Sequence, residues 1–412
     1  MDLDAQDQPP EAGVHIALVH WSFPPCVGGV ESHLWDYSRL LAQRGHRVTV
    51  LTGTPDAQTP GQPGVEVLTH PALDLARLER DPGDLRRLTR WFAEVLVKRG
   101  VRVVHCHNLH HFSGAPAKAL QALRGPLGLV LCHTYHSIWG APGSRGSTLT
   151  ATEWDGHYAV SEFLRTACAD VLDVRADRTY LGIDTAPYTS VAPLDGAPRQ
   201  GTVLLPARLI PDKGAMLAVA ALDLIVKRRM CAFAPRLVLT DTRQTVDFHG
   251  EKIGFRESLE KEIERRDLKP YVDFVEAGVE EMPGLYAEST VVVYPSLFAE
   301  PMGLAPLEAM AAARPVVVTR MGGLGEGVDA DGAIGYLVPD GNEEQLAARI
   351  AELLDDRETG RRMGLRGRDH VRDHFDLREI YLERMRAEYR TLLSRADGAS
   401  ADGAWTAARA GV

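Results

Sequence analysis

The stretch Val291-Val292-Val293-Tyr294-Pro295-Ser296-Leu297-Phe298-Ala299-Glu300-Pro301-Met302-Gly303-Leu304-Ala305-Pro306-Leu307-Glu308-Ala309-Met310 reads as a strand, a tight loop and a helix in direct succession. The run from Val291 to Tyr294 has the continuous apolar character of a strand buried on both faces. Pro306 suits the first turn of a helix, where a missing N–H costs nothing. Leu307, Met310 and Ala311 then follow at helical spacing. Free N–H groups and the helix dipole make such a helix start an anion site. Two carboxylates, Glu300 and Glu308, stand eight positions apart across it. They would repel a phosphate, so their fitting targets are hydroxyls: Glu308 on a ribose, Glu300 on a sugar.

Working outward, the same alternation recurs on both sides. Apolar runs at 14–19, 47–52, 101–107 and 127–133 alternate with helical patterns at 30–44, 84–99 and 115–123. A second series starts near Gly201, with strands at 203–206, 236–240, 271–275, 291–294, 315–319 and 334–338. This βαβ alternation predicts an α/β protein with two Rossmann-like, doubly wound parallel sheets facing a central cleft. The expected boundaries are a disordered tail over 1–13, a first domain over 14–190, a linker over 191–200 and a second domain over 201–375. A helix over 376–395 is expected to cross back and brace the first domain, with a disordered tail over 396–412. Ligands of such sheets bind beyond the carboxyl ends of the strands.

Several further clusters follow strands. Gly28 and Gly29 lie between the first strand and a helix, where they permit close backbone approach. Arg208 and Lys213 follow the first strand of the second domain and suit a leaving diphosphate, whose charge grows as its bond breaks. His105 and His107 share a strand face, with Asn108, His110 and His111 beyond, and zinc is the alternative reading of this cluster. His133 and His136 are candidate acceptor or donor contacts after the next strand.

These segments together resemble retaining glycosyltransferases of family 4. The Glu300–Glu308 spacing is similar to the family's E-x7-E motif, written E-P-F-G-L-x-x-L-E-A-M-A, with Met302 in place of the Phe. Gly28-Gly29-Val30-Glu31 resembles its G-G-V-E loop, and Arg208-Leu209-Ile210-Pro211-Asp212-Lys213-Gly214 its G-R-L-x-x-x-K-G motif, with Ala207 in place of the first Gly. His105-Cys106-His107 resembles an H-x-H whose second His lies near the donor sugar, and Gly322-Gly323-Leu324-Gly325-Glu326 a G-G-x-x-E loop near the donor. Leu239-Thr240-Asp241-Thr242 departs from the family's G-x-G at that place.

The resemblance implies a GT-B fold and transfer of a hexose or N-acetylhexosamine from a nucleoside diphosphate sugar, with UDP as the expected carrier. It implies retention of configuration and no metal or other cofactor. Glu300, Arg208, Lys213 and His107 are then the expected catalytic residues. Gly28, Gly29, Met302, Gly303, Leu304, Ala305 and Glu308 are the expected donor contacts. The acceptor is a small molecule, glycan or natural product bearing a hydroxyl. A sugar-nucleotide 2-epimerase of the same fold and a non-catalytic sugar-nucleotide-binding protein are the rival functions.

Composition sets outer limits. A formal net charge of −10 argues against a nucleic-acid partner. Five cysteines without a C-x-x-C pair fit reduced thiols, and the expectation is a cytoplasmic protein with no secretory leader. Leu85, Leu88, Trp91, Phe92, Val95 and Leu96 form an apolar helical face flanked by Arg86, Arg87, Arg90, Lys98 and Arg99. Weak peripheral membrane contact is the less favoured reading of that face, and packing against the sheet the favoured one.

Overall fold

A computed structural model describes residues 13–54, 61–75, 81, 83–138, 153–194, 201–232, 235–241, 254–328 and 332–401. The first sheet has seven parallel strands: β1 (His15–Val19), β2 (Arg47–Thr52), β3 (Val65–Thr69), β4 (Val103–His107), β5 (Val130–Tyr135), β6 (Gly156–Ala159) and β7 (Asp177–Arg178). Their order is β3-β2-β1-β4-β5-β6-β7. The second has six: β8 (Thr202–Leu205), β9 (Arg236–Asp241), β10 (Val272–Glu276), β11 (Val291–Tyr294), β12 (Val316–Thr319) and β13 (Tyr336–Val338), in the order β10-β9-β8-β11-β12-β13.

Each sheet reverses its winding once, between β1 and β4 in the first and between β8 and β11 in the second. Chain leaving the carboxyl ends of these paired strands diverges to opposite faces and opens a crevice. The segments beyond those four strands carry Gly28-Gly29, His107-Asn108, Arg208 and Glu300. The two crevices meet as one cavity.

Apolar residues on β1, β2, β4 and β5 alternate between two cores. Ala17, Val19, Val104 and Leu131 face one side, with Leu88, Phe92, Val95 and Leu96 of the helix Asp84–Arg99. That helix therefore spends most of its apolar face on the domain, and its Leu85 and Val97 remain exposed. Among the described residues no helix is long and apolar enough to cross a membrane. Ile16, Leu18, Val103 and Cys132 face the other side and meet Leu377, Tyr381, Leu382, Met385, Tyr389 and Leu392 of the chain's C-terminal part.

Three sequence expectations differ from the structure. Strands β3 and β7 were not anticipated. Both lie at sheet edges, where one partner is missing and the apolar signal is diluted: β7 is only Asp-Arg, and β3 is interrupted by Glu66. The proposed tail over 396–412 is helical at its start, because the helix Leu382–Ala401 continues while Leu393 and Ala396 still pack on the first-domain core. Residues 402–412, the segment 1–12 and linker residues 195–200 lie outside the described residues.

Candidate active site

The cavity between the domains holds about 340 Å³, within the range of pockets that bury a small ligand. Its second-domain wall carries Arg208, Lys213, Glu300, Glu308 and the loop Met302-Gly303-Leu304-Ala305. Its first-domain wall carries Gly28, Gly29, Glu31, His20, Trp21, Asn108, His111, Phe112 and His136.

Glu300 is held by its neighbours. Its Oε1 accepts from Lys213 Nζ at 2.5 Å and from Ser296 Oγ at 2.8 Å. The Lys213 ammonium lies 5.7 Å from the Tyr294 ring centroid and 5.9 Å from that of Phe298. Burial disfavours the ammonium, but Tyr294 and Glu300 more than offset it, so the pKa of Lys213 is raised and it stays a cation. A charged pair inside a crevice must be well bonded to persist, and here each partner has several neighbours.

Glu308 sits in a different environment. Its Oε2 accepts from Tyr286 Oη at 2.8 Å. Burial pushes its carboxyl pKa upward, and hydrogen bonds from Tyr286 and Tyr188 only partly counter this. The carboxylate thus lies among hydroxyls, the environment that a ribose edge would extend.

The loop before the helix Leu304–Ala311 needs its glycine. Gly303 has φ +83°, and a Cβ there would lie 2.4 Å from Leu324 Cδ2. Among the described residues no side chain caps this helix or the helix Gly29–Gln43, and the first residues of both line the cavity. A Cβ on Gly29 would touch Leu304 Cδ1 at 3.9 Å, so the two loops face each other across the cleft.

The histidines divide. His136 lines the cavity, whereas His107 and His133 do not. His107 is fully buried behind His136, with its Nδ1 2.9 Å from His136 Nε2. His107, an expected catalytic residue, thus lies one side chain back from the cavity, and His136 stands between it and the opening. Burial holds both far below the ordinary imidazole pKa, so both are neutral. His133 Nε2 accepts from Leu109 N–H at 3.1 Å, a structural bond. His105 bonds Thr134 Oγ1 at 2.7 Å and Tyr389 Oη at 2.5 Å, away from the cleft. Among the described residues, no group of three or more His, Cys, Asp or Glu is arranged around a metal-sized point.

Thr240 also lines the cavity, and its Oγ1 donates to Leu205 O and Ala207 O, propping the turn that presents Arg208. The loop with Glu326 does not line the cavity; Glu326 instead reaches the first domain, at the helix Glu162–Leu172. Tyr286, Ser296 and Trp21 were not anticipated. Tyr286 and Trp21 come from elements whose spacing carries no chemical signature and are brought to the site by folding, whereas Ser296 lies four residues before Glu300 as a single hydroxyl in the strand-to-loop turn.

Residues 195–370 match the family model described as glycosyl transferases group 1, and residues 27–186 match that of glycosyltransferase family 4. The chain belongs to glycosyltransferase family 4. This family 4 enzyme is 28% identical over 350 residues to a phosphatidyl-myo-inositol mannosyltransferase of Mycolicibacterium smegmatis, covering 80% of its own chain and 82% of the relative. Its fold is that of a sucrose-phosphate synthase from Thermosynechococcus elongatus, with TM-score 0.75, 22% identity, and 93% and 100% of the two chains covered. An Anabaena protein, HepE, solved with UDP and glucose, superposes with TM-score 0.69 at 19% identity, covering 92% and 100%. The fold is GT-B and the chain is a glycosyltransferase.

Proposed function

We propose that this glycosyltransferase moves a hexose or N-acetylhexosamine from a nucleoside diphosphate sugar, with UDP as the favoured carrier, to a hydroxyl of a small-molecule, glycan or natural-product acceptor, with retention and without a metal. The observation that carries the reading is the wall on which Arg208, Lys213, Glu300 and Glu308 meet beside two uncapped helix starts. Glu308 takes the ribose hydroxyls. Arg208 and Lys213 take the diphosphate, together with N–H groups at the helix starts. Glu300, fixed by Lys213 and Ser296, orients the sugar hydroxyls.

Transfer then proceeds on one face of the sugar. The bond from C1 to the diphosphate oxygen breaks first, leaving a short-lived oxocarbenium ion. The acceptor oxygen bonds to C1 from the side the diphosphate is leaving, and its proton passes to the departing phosphate oxygen. Positive side chains at that oxygen lower the barrier, because they meet charge that develops in the transition state. On the first-domain wall the exposed Phe112 ring, edge-to-face with Trp21 at 5.4 Å, offers an acceptor ring an apolar face.

The test incubates the protein with UDP-, GDP- and ADP-sugars and a panel of hydroxylated acceptors. Products are read by mass spectrometry and their anomeric configuration by NMR. The expected result is nucleoside diphosphate release that depends on acceptor, with the donor's configuration kept in the product. Release without acceptor and with epimerised sugar supports the 2-epimerase instead. Inverted product overturns same-face attack.

A further inference from the structure

We propose that Glu326 is a positioning residue: it bridges the two domains and fixes the backbone that carries Glu300. The helix Glu162–Leu172 belongs to the first domain, and its first N–H groups have no partner within the helix. Ser161 caps one of them from the same domain, its Oγ accepting from Leu164 N–H at 3.1 Å. Two others are capped from across the cleft. Glu326 Oε2 accepts from Glu162 N–H at 2.6 Å and Oε1 from Phe163 N–H at 2.7 Å. A carboxylate at a helix start gains from both charge-assisted bonds and the dipole. The nearby Glu162 carboxylate does not oppose it strongly, because Arg165 pairs with Glu162.

The other end of the same loop lies against the catalytic segment. Gly323 N–H donates to Glu300 O at 2.7 Å. A Cβ on Gly322, whose φ is +58°, would lie 2.3 Å from Glu300 O, and one on Gly323 would lie 2.3 Å from Pro301 O and 3.2 Å from Ser161 Cβ. The loop therefore presses on Glu300 and Pro301 at one end and grips the first domain at the other. When the carboxylate is seated, the two domains are tied together and the Glu300 backbone is braced. When it is released, both constraints go together.

The proposal rests on the glycosyltransferase reading for its catalytic consequence but not for its structural one. The experiment compares Glu326→Ala, Glu326→Gln and Ser161→Ala with wild type. Ser161→Ala removes one cap from this helix and Glu326→Ala two, so Ser161→Ala is expected to lower Tm by about 2–4 °C and Glu326→Ala by at least as much. Only Glu326→Ala is expected to lower kcat, by about ten- to a hundredfold. Its calorimetric Kd for UDP should stay within about twofold, since the diphosphate residues belong to the untouched second-domain wall. Glu326→Gln, which keeps one acceptor oxygen at the same reach, should recover part of kcat. Small-angle scattering without substrate should show a larger radius of gyration for Glu326→Ala than for wild type or Ser161→Ala. A folded Glu326→Ala with wild-type kcat, or with unchanged radius, overturns the proposal. Equal kcat losses in Glu326→Ala and Ser161→Ala overturn it as well, by showing that helix stability alone matters. If wild type transfers no sugar, the functional reading fails and the scattering comparison alone decides the bridge.

Discussion

At the scale of single residues, the two carboxylates of one motif occupy unlike surroundings. Glu300 shares a buried ion pair with Lys213, whereas Glu308 is surrounded by the Tyr286 and Tyr188 hydroxyls. Glu300→Ala should therefore chiefly cut kcat, because it frees Lys213 and removes the group we propose orients the sugar. Glu308→Ala should chiefly weaken donor binding. Each loss is expected at about ten- to a hundredfold, the worth of one hydrogen bond to a charged group. Steady-state kinetics with donor Kd by calorimetry checks both, and matching profiles for the two variants would refute the division of roles. Arg314 offers a stability test outside the chemistry. Its buried guanidinium donates to the carbonyls of Tyr286, Ala287, Ala192, Ala312 and Ala313. Arg314→Met strands several of these, so a loss of about 2–4 kcal/mol is expected in urea unfolding. An unchanged midpoint would show that water replaces the guanidinium.

At the scale of elements, the legible parts were those with internal redundancy. The strand Val291–Tyr294, the glycine turn and the helix Leu304–Ala311 each carry their own signature, so the two-carboxylate segment could be placed from sequence. The edge strands could not, because a strand such as Asp177–Arg178 exists only through its neighbour's hydrogen bonds. For the same reason Glu300, Arg208 and Lys213 were readable as a set, while Tyr286 was not: its role depends on a distance between elements. His107 shows the limit from the other side. A strand end carrying two histidines indicates a polar site, but the choice between His107 and His136 as its wall is made by packing. The helix Leu382–Ala401 gives an element-scale prediction. Leu382, Met385, Tyr389 and Leu392 close one core of the first domain, and Tyr389 bonds Tyr37 and His105. Met385→Ala should cost about 2–5 kcal/mol, the usual range for emptying a buried site. It should do so although the residue belongs to the far end of the chain. Faster hydrogen exchange in β1 and β4 of that variant is the check, and unchanged exchange there would separate the helix from the first-domain core.

At the scale of the whole molecule, buried imidazoles tie stability to pH. Burial lowers the pKa of His33 and His105 from 6.5 to about 3 and pushes His107, His133 and His136 well below the ordinary value. The folded protein therefore binds fewer protons than the unfolded chain between those values. Stability is fully present above the unfolded pKa of 6.5 and is lost as pH falls below it. Each fully shifted imidazole contributes up to about 1.4 kcal/mol per pH unit in that window. Tm should be flat from about pH 8 to 7 and fall steadily toward pH 5, and a flat profile to pH 5 would contradict neutral burial. The central claim, that the cleft-facing cations stabilise a leaving diphosphate, is tested most directly by Arg208→Lys. A lysine keeps the charge but loses the planar fork that grips phosphate oxygens. Donor Kd is measured by calorimetry and turnover by nucleoside diphosphate release, with circular dichroism confirming the fold. The account predicts a fall in kcat of about tenfold or more with a much smaller change in donor Kd, since the benefit lies in the transition state. A folded Arg208→Lys protein with wild-type turnover would contradict it.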